Sequence, residues 1–209
     1  MDFAAARKVM VDSQVRVNDV TDRALHAAFG AVERERFCAP DRVFSAYADV
    51  MPEVTGQRRL MLMRDLGKLL QGASARPGEK ALVIVGPYAA ATLAKVGLDV
   101  TLQDSDTEVF AVTGEALADY GVKTVEAPIS QPAGEGYDVI VSEAAVPGRQ
   151  DAWINALAEN GRLVVVERTG PIGKAMLYVK SQDGVSVREL FECAPTILHE
   201  LAPAPAFAL

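Results

Sequence analysis

The residues whose types and spacing could do chemistry together are Gly86 and Asp104, eighteen positions apart. They lie within Ala81 to Asp106, ALVIVGPYAAATLAKVGLDVTLQDSD. Ala81 to Val85 is a continuous apolar run without alternation, the pattern of a parallel strand buried on both faces. Gly86-Pro87 breaks the run, and Tyr88 to Val96 is long enough for a short helix. Gly97 closes that helix where a left-handed residue is needed. Leu98 to Leu102 is a second apolar strand, ending in Gln103, Asp104, Ser105 and Asp106. A strand–turn–helix–strand unit with a carboxylate at the end of its second strand is the layout of a nucleotide-type site, in which the carboxylate accepts hydrogen bonds from ribose hydroxyls. Such a ligand also lies against bare backbone, so the turn needs several residues without a Cβ. Here one glycine is followed by Pro87, which has no N–H to donate, and by the bulky Tyr88. The frame of the site is present and its glycine turn is not.

Other candidates carry less. His26 falls inside a predicted helix and His199 beside Glu200 near the end, and neither has a partner at metal or triad spacing. Cys38 and Cys193 are far apart and make no metal-ligand pattern, so two buried free thiols are expected, and with them a reducing, cytoplasmic compartment. Arg58 and Arg59 could hold an acidic group, but read first as a solvated helix start. Asp104 and Asp106 read as ligand contacts, helix caps or solvated groups. Asp138 is expected to cap backbone, and Trp153 to anchor a helix on the sheet.

The elements that position these residues follow from pattern and punctuation. The first 72 residues read as a helical segment: helices over 3–17 and from Thr21 or Asp22 to Val32, a solvated turn at Arg34, Glu35 and Arg36, a short helical turn from Pro40 toward Tyr47, and an amphipathic helix from Arg59 to Gln71 stopped by Gly72. Residues 73–209 then alternate, giving strands at Ala81–Val85, Leu98–Gln103, Val122–Glu126, Tyr137–Ser142 and Arg162–Glu167, with helices at 88–96, 106–120 and 149–159. Ser105 with Glu108 reads as a capping box. Strands alternating with helices predict a parallel sheet with helices on its faces. Ala175–Lys180 and Val185–Cys193 flank Asp183-Gly184 and predict an antiparallel hairpin at one edge. The tail, APAPAFAL, reads as extended. The expected class is α/β, Rossmann-like, with a mostly parallel seven-stranded sheet, all in one compact unit.

Composition narrows the partners. Half of the 209 residues are apolar, and the net charge is −7 with no basic patch. Nucleic acid and anionic membrane are poor partners for such a surface, and no apolar run reaches membrane-spanning length. No metal is expected. A protein partner is, with self-association as one option.

Motifs outside the strands are more specific. MVDSQVR (Met10–Arg16), VTDRALHAAFGAVERERFCAP (Val20–Pro40) and AYAD (Ala46–Asp49) resemble the N-terminal region of protein-L-isoaspartate O-methyltransferases. YDVIVSEAAVP (Tyr137–Pro147) and NGRLVVV (Asn160–Val166) resemble that family's fourth and fifth strands. The resemblance spans nearly the whole chain and implies the class I methyltransferase fold with S-adenosylmethionine as cofactor. At the working positions the chain departs from the family. The acid that ends its first strand falls on Ile84, and its glycine loop on Gly86-Pro87-Tyr88. Its Gly-Asp pair after the third strand is Glu126-Ala127 here. Its catalytic hydroxyl falls near Arg59 to Leu62, where there is no Ser or Thr. An Ile-Ser-Gln-Pro run does occur, at Ile129 to Pro132, but in the wrong part of the fold, so Ser130 is taken as coincidence. Only Asp104 stands where the ribose-binding acid belongs.

Methyl transfer from a sulfonium needs alignment more than covalent help, so losing the hydroxyl would only slow the reaction, whereas losing the glycine turn would remove the cofactor. The expectation is therefore a degenerate homologue without bound cofactor and without catalytic residues, acting as a binding or regulatory protein. The alternative is an active carboxyl methyltransferase with S-adenosylmethionine held around Gly86, Tyr88, Asp104 and Ala144. Tyr88 is expected to discriminate: filling the adenosyl space, it blocks the second reading; turned outward, it favours it.

Overall fold

The computed structural model describes residues 2–202. Its centre is a sheet of seven strands: β1 (Lys80–Ile84), β2 (Asp99–Asp104), β3 (Lys123–Glu126), β4 (Tyr137–Val146), β5 (Leu157–Glu167), β6 (Gly173–Ser181) and β7 (Gly184–Cys193). They lie in the order β3-β2-β1-β4-β5-β6-β7. β1 to β5 are parallel, with Val83 of β1 opposite Leu102 of β2 and Val141 of β4, whereas β5–β6 and β6–β7 are antiparallel. The Rossmann-like, mostly parallel sheet with a closing hairpin is thus as the apolar runs predict. β1 and the inner half of β4 are buried on both faces, which is why they lack alternation.

The helices are α1 (Phe3–Met10), α2 (Arg23–Ala31), α3 (Met63–Ala73), α4 (Pro87–Val96), α5 (Thr107–Asp119) and α6 (Asp151–Asn155). One face of the sheet packs Val83, Val139 and Val141 against α2, α3, α4 and α5. The other face packs Leu82, Ile84 and Ile140 with Trp153, Ile129 and Leu198, so its cover is one short helix and irregular chain. Trp153 anchors that cover, its Nε1–H donating to the Ile129 carbonyl at 2.8 Å. Asp138 accepts from the Lys80 N–H at 2.8 Å and so caps the start of β1. Both cysteines are buried and unpaired.

Several boundaries differ from the sequence pattern, each for a local reason. Helix α1 passes through a π turn (Val11–Val15) and a 3-10 turn (Arg16–Asn18), because Asp19 turns left-handed at φ 61°. Helix α3 begins at Met63, not Arg59, because Arg59 is held in an isolated bridge to Glu53. Helix α6 is short because β5 starts early, pairing Leu157 with Tyr137. Ser105 does not cap α5: Asp106 does, accepting from the Glu108 N–H at 3.0 Å, and the Ser105 hydroxyl turns to Glu200. Arg34 is not on a solvated turn but fully buried. Of the tail APAPAFAL, residues from Pro203 onward lie outside the described residues.

Tyr88 explains the burial of Arg34. Its ring packs between Phe29 and Phe37, with centroids at 6.2 and 5.7 Å, and the Arg34 guanidinium lies 4.7 Å from its centroid. The Tyr88 hydroxyl is buried without a hydrogen-bond partner. Tyr88→Phe is therefore expected to leave stability unchanged or raise it, since no bond is lost and a buried polar group is removed. Tyr88→Ala is expected to cost about 3–5 kcal/mol. Urea unfolding of both variants checks this, and a Tyr88→Phe loss as large as that of Tyr88→Ala would refute it.

Candidate functional site

In this strand order β1 has β2 on one side and β4 on the other. The chain leaves β1 toward β2 and leaves β4 toward β5, in opposite directions, and a crevice opens at the carboxyl ends of the strands between them, where ligands bind in open α/β sheets. The turn out of β1 is strained. Val85 has φ 56°, rare for a β-branched residue. Gly86 has φ 150°, and a Cβ there would lie 2.8 Å from Cγ of Glu143. Glycine is required at 86 because the Glu143 side chain of β4 approaches its backbone.

That side chain is buried. The Glu143 carboxylate accepts from the N–H of Ala89, in the first turn of α4, and from the N–H of Met61 at 3.2 Å. Negative charge is favoured at a helix N-terminus, where the first N–H groups lack partners. Burial pushes the Glu143 carboxyl up from its ordinary pKa, against the opposing pull of Arg34 and the two amides. Arg34 in turn donates from Nη2 to the Met61 carbonyl at 2.7 Å and from Nε to the Ala46 carbonyl at 2.9 Å, and its Nη1 has no partner. Met61 is thereby pinned at both ends of its peptide.

The carboxylate of Asp104, at the end of β2, is fully buried and already engaged. Its Oδ1 accepts from Arg58 Nη2 at 2.8 Å and from the Asp106 N–H at 3.0 Å, and both oxygens lie 3.1 Å from Arg58 Nε. Arg58 stands on a tight turn in which its N–H donates to the Thr55 carbonyl and its own carbonyl accepts from Val54. Thr55 Oγ1 fastens that turn to Asp106 at 2.7 Å. The far side of the guanidinium reaches Ser105 Oγ at 3.2 Å and Glu200 Oε1 at 2.7 Å. Burial alone would lower the Arg58 pKa, but the two carboxylates outweigh it and hold it above the ordinary value. Burial likewise raises Glu200, but Arg58 and Ser105 outweigh it and hold that carboxyl below its ordinary value.

Beside this cluster is an open polar groove of about 570 Å³, lined in part by Gly56, Gln57, Arg58, Asp106 and Glu200. Of the sequence-predicted residues, Gly86 and Asp104 do end at the crevice. Ala144 is buried in the apolar cluster on the opposite face from Tyr88. Tyr88 neither fills the crevice nor turns outward. It packs into the core, so it decides nothing sterically. Of the residues that occupy the anchoring positions, Glu143, Arg34 and Glu200 are not among the candidates; Arg58 is, and of its two readings it takes the first, holding the acidic group of Asp104 while buried. Only Glu143 left a signal, a lone charge inside the apolar run VIVSEAAV. Ser130 is exposed, on a loop held by the buried Gln103, whose Nε2 donates to the Pro128 and Gln131 carbonyls. His26 is partly buried against the Val20 carbonyl. Among the described residues no group of His, Cys, Asp and Glu could hold a metal ion, and no helix is long and apolar enough to cross a membrane.

No family model matches the chain. It is 29% identical over 195 residues to a protein-L-isoaspartate O-methyltransferase of Koribacter versatilis, covering 87% of this chain and 85% of that one. It is 30% identical over 167 residues to the enzyme of that name from Gloeobacter violaceus, covering 75% and 80%. The chain belongs to the protein-L-isoaspartate O-methyltransferase family. The fold agrees. A Plasmodium falciparum protein assigned to this family, solved with S-adenosyl-L-homocysteine, superposes with a TM-score of 0.79 at 15% identity, covering 93% of this chain and 98% of that one. A second protein-L-isoaspartate O-methyltransferase superposes at 0.77 with 19% identity, covering 91% and 65%.

Within this methyltransferase fold, Arg58 makes the crevice a test of buried-charge energetics. Arg58→Ala leaves Asp104 buried and unpaired and is expected to cost about 3–5 kcal/mol, while Arg58→Met combined with Asp104→Leu recovers most of that loss. Urea unfolding of the variants checks both, and a single-variant cost no larger than that of an exposed pair would refute the assignment. Because the Glu200 pKa is lowered on folding, its contribution is present above the ordinary carboxylate range and is lost as pH falls through the lowered value beneath that range. The stability gap between the wild type and Glu200→Gln is thus expected to close on acidification. A gap that stays constant from neutral pH downward would contradict it.

Proposed function

We propose that this chain is a protein-L-isoaspartate O-methyltransferase homologue that has given up its adenosyl cofactor and acts as a binding or regulatory protein. The observation that carries this reading is Asp104. In the layout of such sites this carboxylate takes ribose hydroxyls, but here its lone pairs go to Arg58 and to the Asp106 N–H. The second anchor of such a ligand, backbone near the first turn of α4, goes to Glu143. A nucleoside would have to displace the buried Arg58 guanidinium and the buried Glu143 carboxyl, each leaving a partner unsatisfied. The turn at Gly86–Tyr88 offers it one glycine and a proline in return. The residues present do not fit S-adenosylmethionine.

The second reading is an active methyltransferase acting on isoaspartyl or other protein carboxylates. It is favoured by the family relatives that match over most of the chain and by the groove of about 570 Å³ beside Asp104. Calorimetric titration with S-adenosylmethionine and S-adenosylhomocysteine separates the two. No heat up to millimolar ligand is expected. Micromolar binding of both, abolished by Asp104→Ala, would overturn the first reading and direct attention to methyl transfer onto isoaspartyl peptides.

A further inference from the structure

Strand β4 outlasts β1. Their last paired residues are Val83 and Val141, and β1 stops at Ile84, yet β4 runs on to Val146. Its edge on the β1 side, beyond the turn at Gly86, needs a partner for its backbone. The chain supplies one from its own C-terminal segment. Ala145 pairs in parallel with Ile197: its N–H donates to the Thr196 carbonyl and its carbonyl accepts from the Leu198 N–H, both at 2.8 Å. Leu198 is 2% exposed, in the apolar cluster with Ile84, Val85 and Ala144. Two residues on, Glu200 meets Arg58 Nη2 at 2.7 Å and Ser105 Oγ at 2.9 Å. Arg168 Nη1 holds the start of the segment, donating to the carbonyls of Ala194 at 2.9 Å and Pro195 at 2.5 Å.

These are the parts of a site for an extended peptide. Main-chain bonds set register, an apolar socket reads one side chain, and a cation reads a carboxylate. The segment is held by two ladder bonds, one buried leucine, the Glu200 contacts to Arg58 and Ser105 and the two Arg168 bonds, and its carboxylate borders the open groove of about 570 Å³. It forms an isolated bridge and not a full strand, and segments with few ladder bonds open locally more readily than the strands beside them. We propose that the crevice is a peptide-binding site that the chain keeps filled with its own residues Ala194–Leu201, and that its ligand in trans is an extended segment of another protein with an aliphatic residue followed two positions later by a carboxylate. The proposal rests on the reading of this chain as a binding protein and names the chemistry of its partner.

The test uses the full chain with Leu198→Ala and Glu200→Ala together, which empties the socket and frees the cation. The probe is a fluorescent peptide of the native sequence, APTILHEL. The double variant is expected to bind it at least about tenfold more tightly than the wild type, and the peptide with Gln in place of its Glu is expected to bind about tenfold more weakly. Failure of the variant to bind, with hydrogen exchange showing that the Ala145 amide has lost protection, would overturn the proposal. So would equal binding of the Gln peptide. Should the double variant not fold, Glu200→Gln alone carries the test, with the same tenfold gain over the wild type expected and no gain refuting it. A wild-type dimer that exchanges this segment between copies, seen by gel filtration and cross-linking, would make a second copy the occupant and sink the outside partner. S-adenosylhomocysteine titrated into the wild type is scored separately: its binding would defeat the loss of cofactor and leave the peptide result standing.

Discussion

The interaction on which the crevice depends is the ion pair between Arg58 and Asp104. Both groups are almost wholly removed from water. Each alone would carry a desolvation penalty of several kcal/mol, and their attraction offsets it only because the geometry is close and the remaining hydrogen-bonding capacity is used. Here it is used. The carboxylate also takes the Asp106 N–H, and the guanidinium also takes Ser105 and Glu200. The pair therefore draws three segments to one point: the turn before α3, the end of β2, and the C-terminal residues that cross the sheet edge. Thr55 on the turn and the Ala145–Ile197 bridge on the C-terminal segment reinforce the same meeting point.

A second buried cluster does the same for the other half of the crevice. Glu143 joins β4 to the start of α4 and to Met61, and Arg34 joins Met61 to the Tyr88 ring. Helix N-termini at the carboxyl edge of a parallel sheet present unpaired backbone N–H groups and a favourable potential for anions, as α4 does here. In proteins with a ligand at that place, the ligand satisfies these groups. In this chain its own carboxylates do, and the strained Val85 and the glycine at 86 keep the turn clear for the Glu143 side chain. Strain at a turn is retained only when its surroundings over-determine it, and here buried side chains take that part.

How much of this was legible in the sequence depends on the range of the interaction. The strands were legible because burial on both faces leaves continuous apolar runs, as at Ala81–Val85. The hairpin was legible because Asp183-Gly184 fits a tight turn. Helix ends were less so: Ser105 has the spacing of a capping box, but its hydroxyl is claimed by Glu200, a residue far away in the chain. Arg34 reads as solvated, and Arg58 reads as solvated ahead of holding an acidic group, for one reason. A charged residue between polar neighbours looks solvated, and nothing local announces a buried partner. Tyr88 is legible as a bulky residue at the turn, but only the fold shows that its ring points into the core.

By itself the sequence determined the α/β architecture, the family, and the absence of a glycine-rich turn, because each is encoded in local patterns of apolar residues, turn residues and short motifs. Only the tertiary structure decided what the crevice holds. The Arg58–Asp104, Glu143–Ala89 and Glu200–Arg58 contacts join residues 46, 54 and 142 positions apart. Their energies arise from desolvation, which exists only once the chain has closed around them.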